Sequence, residues 1–161
     1  MNYEIVELQI SGEACTFYSV LEEGQIQTLF ELFISENLKL YKDEIKEITT
    51  RLKSMAKNVG AKINFFKVHE GNYGDRVCAL FDMPSQKLRL YCIRYSDNIV
   101  ILGGGGPKLP GLKAYQGDEN LTNAAEKMKS TSADLKELLH NKSVRFSHNS
   151  KRLEGELVII K

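Results

Sequence analysis

The side chains best placed to do chemistry lie between Lys87 and Lys108, in the stretch KLRLYCIRYSDNIVILGGGGPK. Lys87, Arg89, Arg94 and Lys108 stand there against Asp97 alone, leaving +3 on this stretch of a chain whose formal net charge is +1. So local a concentration of cations suits an anion, and a guanidinium fits a phosphate through two parallel hydrogen bonds. Strand alternation places Arg89, Tyr91, Ile93 and Tyr95 on one face and Leu88, Leu90, Cys92 and Arg94 on the other. The second set is mostly core-like. In the first, Arg89, Tyr91 and Tyr95 form a basic-aromatic strip, able to stack on bases and pair with phosphates. Cross-strand packing on a solvated sheet face accounts for the same composition without any ligand. The glycines Gly103 to Gly106 also read two ways. They can form a backbone N–H nest for an anion with Lys108 reaching in, or a strand exit that needs positive φ or close approach of another element. A nucleotide-binding P-loop is disfavoured, because no Gly-Lys-Ser/Thr ending follows and no helix obviously starts there.

Other chemistries find less support. His69, His140 and His148 are scattered in polar surroundings without metal-ligand spacing. Cys15, Cys78 and Cys92 sit inside apolar, strand-like runs and read as buried free thiols. There is no GxSxG elbow, and Asp75 and Asp82 flank a strand without forming a convincing carboxylate pair. Neither a metal site nor a cofactor is expected.

The elements that must position the basic stretch follow from periodicity. Tyr3 to Ile10 and Ala14 to Leu21 alternate as an opening hairpin around Ser11-Gly12-Glu13. Gln25 to Ser35 carries Ile26, Leu29, Phe30 and Phe33 at helical spacing. Leu38, Tyr41, Ile45, Ile48, Leu52, Met55 and Val59 form the clearest helical stripe, with Gly60 as its stop. Ala61 to Val68 is a strand or an extended segment, His69 to Asp75 is a polar loop, and Arg76 to Asp82 is a strand. Leu88 to Tyr95 and Ile99 to Leu102 then make a hairpin around Ser96-Asp97-Asn98. Pro107, Pro110, Gly111 and Gly117 keep the chain irregular through Asp118. Asn120 to His140 is helical, with an interruption expected at Ser130-Thr131-Ser132. Leu157 to Ile160 is expected to pair with Val144 to Phe146 across SHNSKRLEG.

These elements predict one α+β domain over residues 1–161. A small antiparallel sheet carries two N-terminal-half helices on one face, with a later helix and a C-terminal strand pair added. At 161 residues a chain buries roughly two thirds of its unfolded surface without metals or disulfides. The near-neutral charge argues against non-specific binding of a long duplex, so any nucleic acid binds locally. Acidic residues in MNYEIVELQI argue against a signal peptide, no apolar run spans a bilayer, and a cytoplasmic location is expected.

From Asp75 to about Leu139 the order of elements resembles the RelE/ParE/HigB toxin superfamily of toxin–antitoxin systems. Arg76 sits on DRVCALFD, Arg89 in LRLYCIRY, NIVIL matches the apolar strand, Lys108 follows it, and Ala124 and Ala125 fall in the final helix. The resemblance implies a metal-independent endoribonuclease in which basic side chains stabilise a phosphate attacked by a ribose 2′-hydroxyl. By position, Arg89 and Lys108 would be the phosphate-binding pair. Arg94 and Tyr95 would stabilise charge or transfer a proton, and Arg76, Lys87 and Tyr91 would contact RNA. The implied partners are an antitoxin from an adjacent gene and RNA or the ribosome. The alternative is a non-enzymatic interaction module or gyrase-type poison on the same scaffold, binding through Tyr91, Ile93 and Tyr95.

Overall fold

The computed structural model describes residues 2–68, 74–108 and 119–161. A hairpin of β1 (Tyr3–Glu7) and β2 (Thr16–Glu22) opens the chain, followed by α1 (Leu29–Asn37) and α2 (Lys42–Ser54). A two-residue β3 (Phe66–Lys67) leads to β4 (Val77–Leu80), β5 (Leu88–Arg94) and β6 (Ile99–Pro107). Then come α3 (Glu119–His140), β7 (Val144–Phe146), β8 (Leu153–Gly155) and β9 (Val158–Ile159). The α+β class holds, with a larger sheet than the sequence predicts: seven strands in the order β3-β4-β5-β6-β2-β1-β9. It is also mixed, because β2 lies parallel to β6, with Thr16 opposite Ile99 and Ser19 opposite Leu102. A parallel pair needs a long crossover, here everything from α1 to β5.

Each face of the sheet has its own apolar layer. Phe30, Phe33, Ile45, Ile48 and Leu52 of the first two helices pack on Phe17, Cys78, Leu90, Cys92 and Leu102. On the opposite face Leu121, Ala125, Met128 and Leu135 of α3 pack on Tyr18, Val77, Tyr91, Ile93 and Ile101. The central strands are therefore buried on both sides, which is why IVIL and VCAL are continuously apolar instead of alternating with polar residues. Cys15, Cys78 and Cys92 are buried free thiols, and burial pushes the Cys15 thiol up to about 12.

Several boundaries differ from the sequence reading for local reasons. The first helix starts at Leu29, not Gln25, because Thr28 and Glu31 form a reciprocal capping box, and Ile26, ahead of it, is 96% exposed. The stripe from Leu38 to Val59 is not one helix: Leu38 caps the end of α1, Tyr41 precedes the first residue of α2, and the stripe ends in a π-helical turn, Met55–Val59, stopped by Gly60 at φ 79°. The wider turn rotates Val59 out to 45% exposure while Met55 and Ala56 stay buried. Within Ala61 to Val68 the strand is confined to β3, Phe66–Lys67, and a 3-10 turn, Ile63–Phe65, precedes it. The third helix is continuous through Ser130-Thr131-Ser132. Thr131 Oγ1 donates to Lys127 O and Ser132 Oγ donates to Asp75 O, so the hydroxyls that signalled a break are satisfied within and across the helix. Val144–Phe146 pairs with Leu153–Gly155, while Val158–Ile159 joins the main sheet beside Tyr3 and Glu4. Most of the His69 to Asp75 loop and all of residues 109–118, including Pro110, Gly111 and Gly117, lie outside the described residues. No described helix is long and apolar enough to cross a membrane.

Candidate functional site

The centre of charge is Asp82, two residues beyond the end of β4. Its side chain is 4% exposed, and Lys67 Nζ from β3 lies 2.8 Å from Oδ1. Lys108, immediately after β6, donates to Oδ2 and sits 3.3 Å from Met83 O. Arg89 Nη2 from β5 approaches Oδ2 at 3.5 Å, its side chain 6% exposed. Burial works against the Asp82 carboxylate, but hydrogen bonds from Lys108 and Lys67 and the charge of Arg89 outweigh it, and the carboxyl titrates below its ordinary 3.8. Three cations against one carboxylate leave this end of the sheet positive, and the Lys67 side chain, 32% exposed, reaches solvent. Phe81 and Met83 are exposed beside it, and Lys67 Nζ stands 5.5 Å from the Phe81 ring centre.

The second helix holds the adjoining turn in place. The Glu44 carboxylate accepts from Lys87 N at 2.9 Å and Leu88 N at 3.0 Å. Gln86 Oε1 accepts from Met83 N at 2.6 Å while Gln86 Nε2 donates to Glu47 at 3.0 Å. Arg51, paired with Glu47 at 2.5 Å, donates to Phe81 O at 2.8 Å. Acidic residues on α2 thus position the strand ends that carry Asp82 and Arg89. Lys87 enters the arrangement through its backbone.

The remaining sequence candidates lie elsewhere. Arg94 donates to Ala61 O at 2.8 Å and to Asp97 Oδ1 at 2.6 Å, and Lys62 also meets Asp97, at 2.8 Å. The Arg76 guanidinium lies 5.8 Å from the Tyr95 ring and donates to Tyr95 O at 3.3 Å. Tyr95 meets Phe146 edge-on with ring centres 5.7 Å apart. Burial pushes the Tyr95 phenol up to about 12, against the opposing charge of Arg76. Five residues of strand separate Arg89 from Arg94, about 17 Å at the usual rise. Arg89 and Lys108 therefore come together around Asp82, while Arg94, Tyr95 and Arg76 gather at the other end.

The expected basic-aromatic strip is not a surface. Alternation along β5 is as predicted, but α3 packs over Tyr91 and Ile93 and Arg89 turns onto Asp82, so Tyr91 is 0% and Arg89 6% exposed. The bland packing role holds for Tyr91, although as core and not as a solvated face. The glycine run is likewise neither nest nor exit but the second half of β6. Leu90 pairs with Gly105 and Cys92 with Leu102, so Tyr91 faces both Gly103 and Gly104 across a bulge. A Cβ on Gly103 would meet Met128 Sδ, and one on Gly105 would meet Arg89 O.

Sequence reasoning missed Lys67 and undervalued Asp82. The available signal was a carboxylate directly following the apolar run VCALF, where burial demands a cation. Among the described residues no three His, Cys, Asp or Glu side chains gather as metal ligands. Comparison with known protein families, characterised proteins and solved structures finds no match for this chain.

Proposed function

We propose that this chain is the toxin component of a toxin–antitoxin pair and acts on single-stranded RNA as a metal-independent endoribonuclease, holding the phosphate with Lys67 and Lys108. The observation that carries the reading is the Asp82 cluster: two lysines and an arginine converge on one carboxylate, beside the exposed aromatic Phe81. Asp82 and Arg89 are buried and order the cluster. The lysines can exchange the carboxylate for a phosphate, and Phe81 offers a stacking face for a base. The sequence of two helices, a three-stranded meander, Lys108 and a final helix supports the toxin scaffold. The test is binding and cleavage of single-stranded RNA in chelator by the purified protein, with growth measured on expression. Each of Lys67→Ala and Lys108→Ala is expected to lower the salt slope of RNA binding by about 0.7 and to relieve growth arrest. RNA left unbound, with unimpaired growth, overturns the reading.

One observation favours a second reading, a non-enzymatic binding protein. Arg94 and Tyr95, the candidates for charge stabilisation and proton transfer, lie at the far end from Lys108. RNA that binds through Lys67 and Lys108 and remains intact over long incubation would select it.

A further inference from the structure

The parallel strands β2 and β6 diverge at their carboxyl ends. Their pairing stops at Ser19 opposite Leu102; β2 continues to Glu22 beside β1, and β6 continues to Pro107 beside β5. Strand β2 leads to α1 on one face of the sheet, whereas α3, the next described helix after β6, covers the other face. Reversal of helix side between adjacent parallel strands opens a crevice beyond their carboxyl ends, the usual ligand position in sheets wound this way. Here the crevice is a cleft of about 480 Å³ between α1, the glycine half of β6 and the start of α3. That volume lies within the roughly 300–1,000 Å³ of small-molecule sites.

We propose that this cleft binds a nucleobase, that of the RNA whose phosphate lies against Lys67 and Lys108; this rests on the function proposed above. The lining chemistry points to an uncharged, hydrogen-bonding heterocycle. Asn37, Asn120 and Asn123 contribute amides, which match the mixed donor and acceptor edges of bases. Asn37 is 5% exposed, and its Nδ2 donates to Phe33 O at 2.8 Å. With its amide nitrogen committed to the helix, the oxygen is the atom that side chain can offer a ligand N–H. The cleft offers no net positive charge, since Glu36 and Lys127 both line it and Lys127 is already paired with Glu22 at 2.5 Å. A free anion gains little there. Half-buried Tyr41 supplies an aromatic wall, and no described atom lies within 4 Å of a Cβ placed on Gly104 or Gly106.

The test titrates adenosine, guanosine, cytidine and uridine, none of which carries a phosphate, into the purified full chain, followed by NMR. At least one nucleoside is expected to bind, with its affinity lowered about tenfold, the equivalent of about 1.4 kcal/mol, by Gly104→Val or Asn123→Leu. Asn123 is exposed on α3, so its replacement keeps the test open if Gly104→Val unfolds the protein. Failure of all four nucleosides to bind, or wild-type affinity in the folded variants, overturns the cleft proposal; RNA binding that still depends on Lys67 and Lys108 then leaves the functional reading standing. Nucleoside binding that responds to the cleft variants, in a protein that neither binds nor cuts RNA, supports base recognition in the cleft and overturns the RNA reading.

Discussion

Replacing Asp82 by Asn separates the two things its carboxylate does. Asn keeps the volume and removes the charge that Lys67, Lys108 and Arg89 share. Removing one partner of a buried ion pair typically costs about 3–5 kcal/mol. The lower end applies, because Lys67 is 32% exposed and can turn to solvent, whereas Arg89 at 6% cannot. The expected loss is thus about 3 kcal/mol, well over a third of the stability of a marginal domain. The pH dependence is a second signature. The folded pKa of Asp82 is depressed, so the carboxylate's contribution is present in full above the ordinary value of 3.8 and is lost as pH falls through the lower folded value. Urea unfolding at neutral pH should therefore separate wild type from Asp82→Asn, and the gap should narrow as the pH falls below 3.8. The same variant leaves the cluster one charge more positive, so RNA should bind more tightly at low salt even though the fold is weaker. A neutral-pH difference under about 1 kcal/mol, the range of exposed pairs, or one that does not change with pH would refute the account of Asp82 as the buried hub of the site.

Three further outcomes are open to measurement. Ser19 Oγ donates to Leu102 O at 2.6 Å and accepts from Phe30 N at 3.1 Å; Ser19→Ala should cost about 2 kcal/mol in urea unfolding, because both buried backbone groups lose their partner. Gly105→Ala should destabilise far more than Gly103→Ala, since the new methyl meets the Arg89 backbone in the first case and the movable tip of Met128 in the second; the milder change should cost about 1–3 kcal/mol, and thermal unfolding of the two variants ranks them. Burial raises the Tyr95 phenol to about 12; phenolate absorbance lost in Tyr95→Phe should appear near that pH, and its contribution to folding should decline between about pH 10, where the unfolded tyrosine ionises, and pH 12.

The sequence was most legible where one pattern dominated. Ile45, Ile48, Leu52 and Met55 are buried as their spacing predicts, and the Leu88 to Leu102 hairpin forms with a longer second strand. What escaped was long-range. Period-2 alternation identifies two faces of β5 but not what will cover them, so Tyr91, packed under α3, and Arg89, turned onto Asp82, looked like a surface and are buried. Parallel pairing between Ser19 and Leu102 has no local signature, and the cleft beside it was invisible for the same reason. The glycine run carried a real signal of close approach; its partners, Met128 and the Arg89 backbone, lie in other elements. Local chemistry also overrode periodicity at Thr28, where a capping box set the start of a helix that apolar spacing placed earlier.

The parallel junction also has a consequence for the nascent chain. The strand that completes the sheet on the far side of β2 is β6, and Ser19, already beside Val6 of β1, must wait for Leu102 before its hydroxyl has an acceptor and its other edge a neighbour. A ribosome adding roughly 5–20 residues per second therefore exposes the opening hairpin and its two helices for several seconds before their sheet can close. During that interval Phe17, Phe30 and Phe33, all later buried, are open to other chains. Synthesis rate and chaperone supply should consequently govern the yield of this protein more strongly than its final stability does, and a pause placed after β6 has emerged should favour correct closure where a pause before it would favour aggregation.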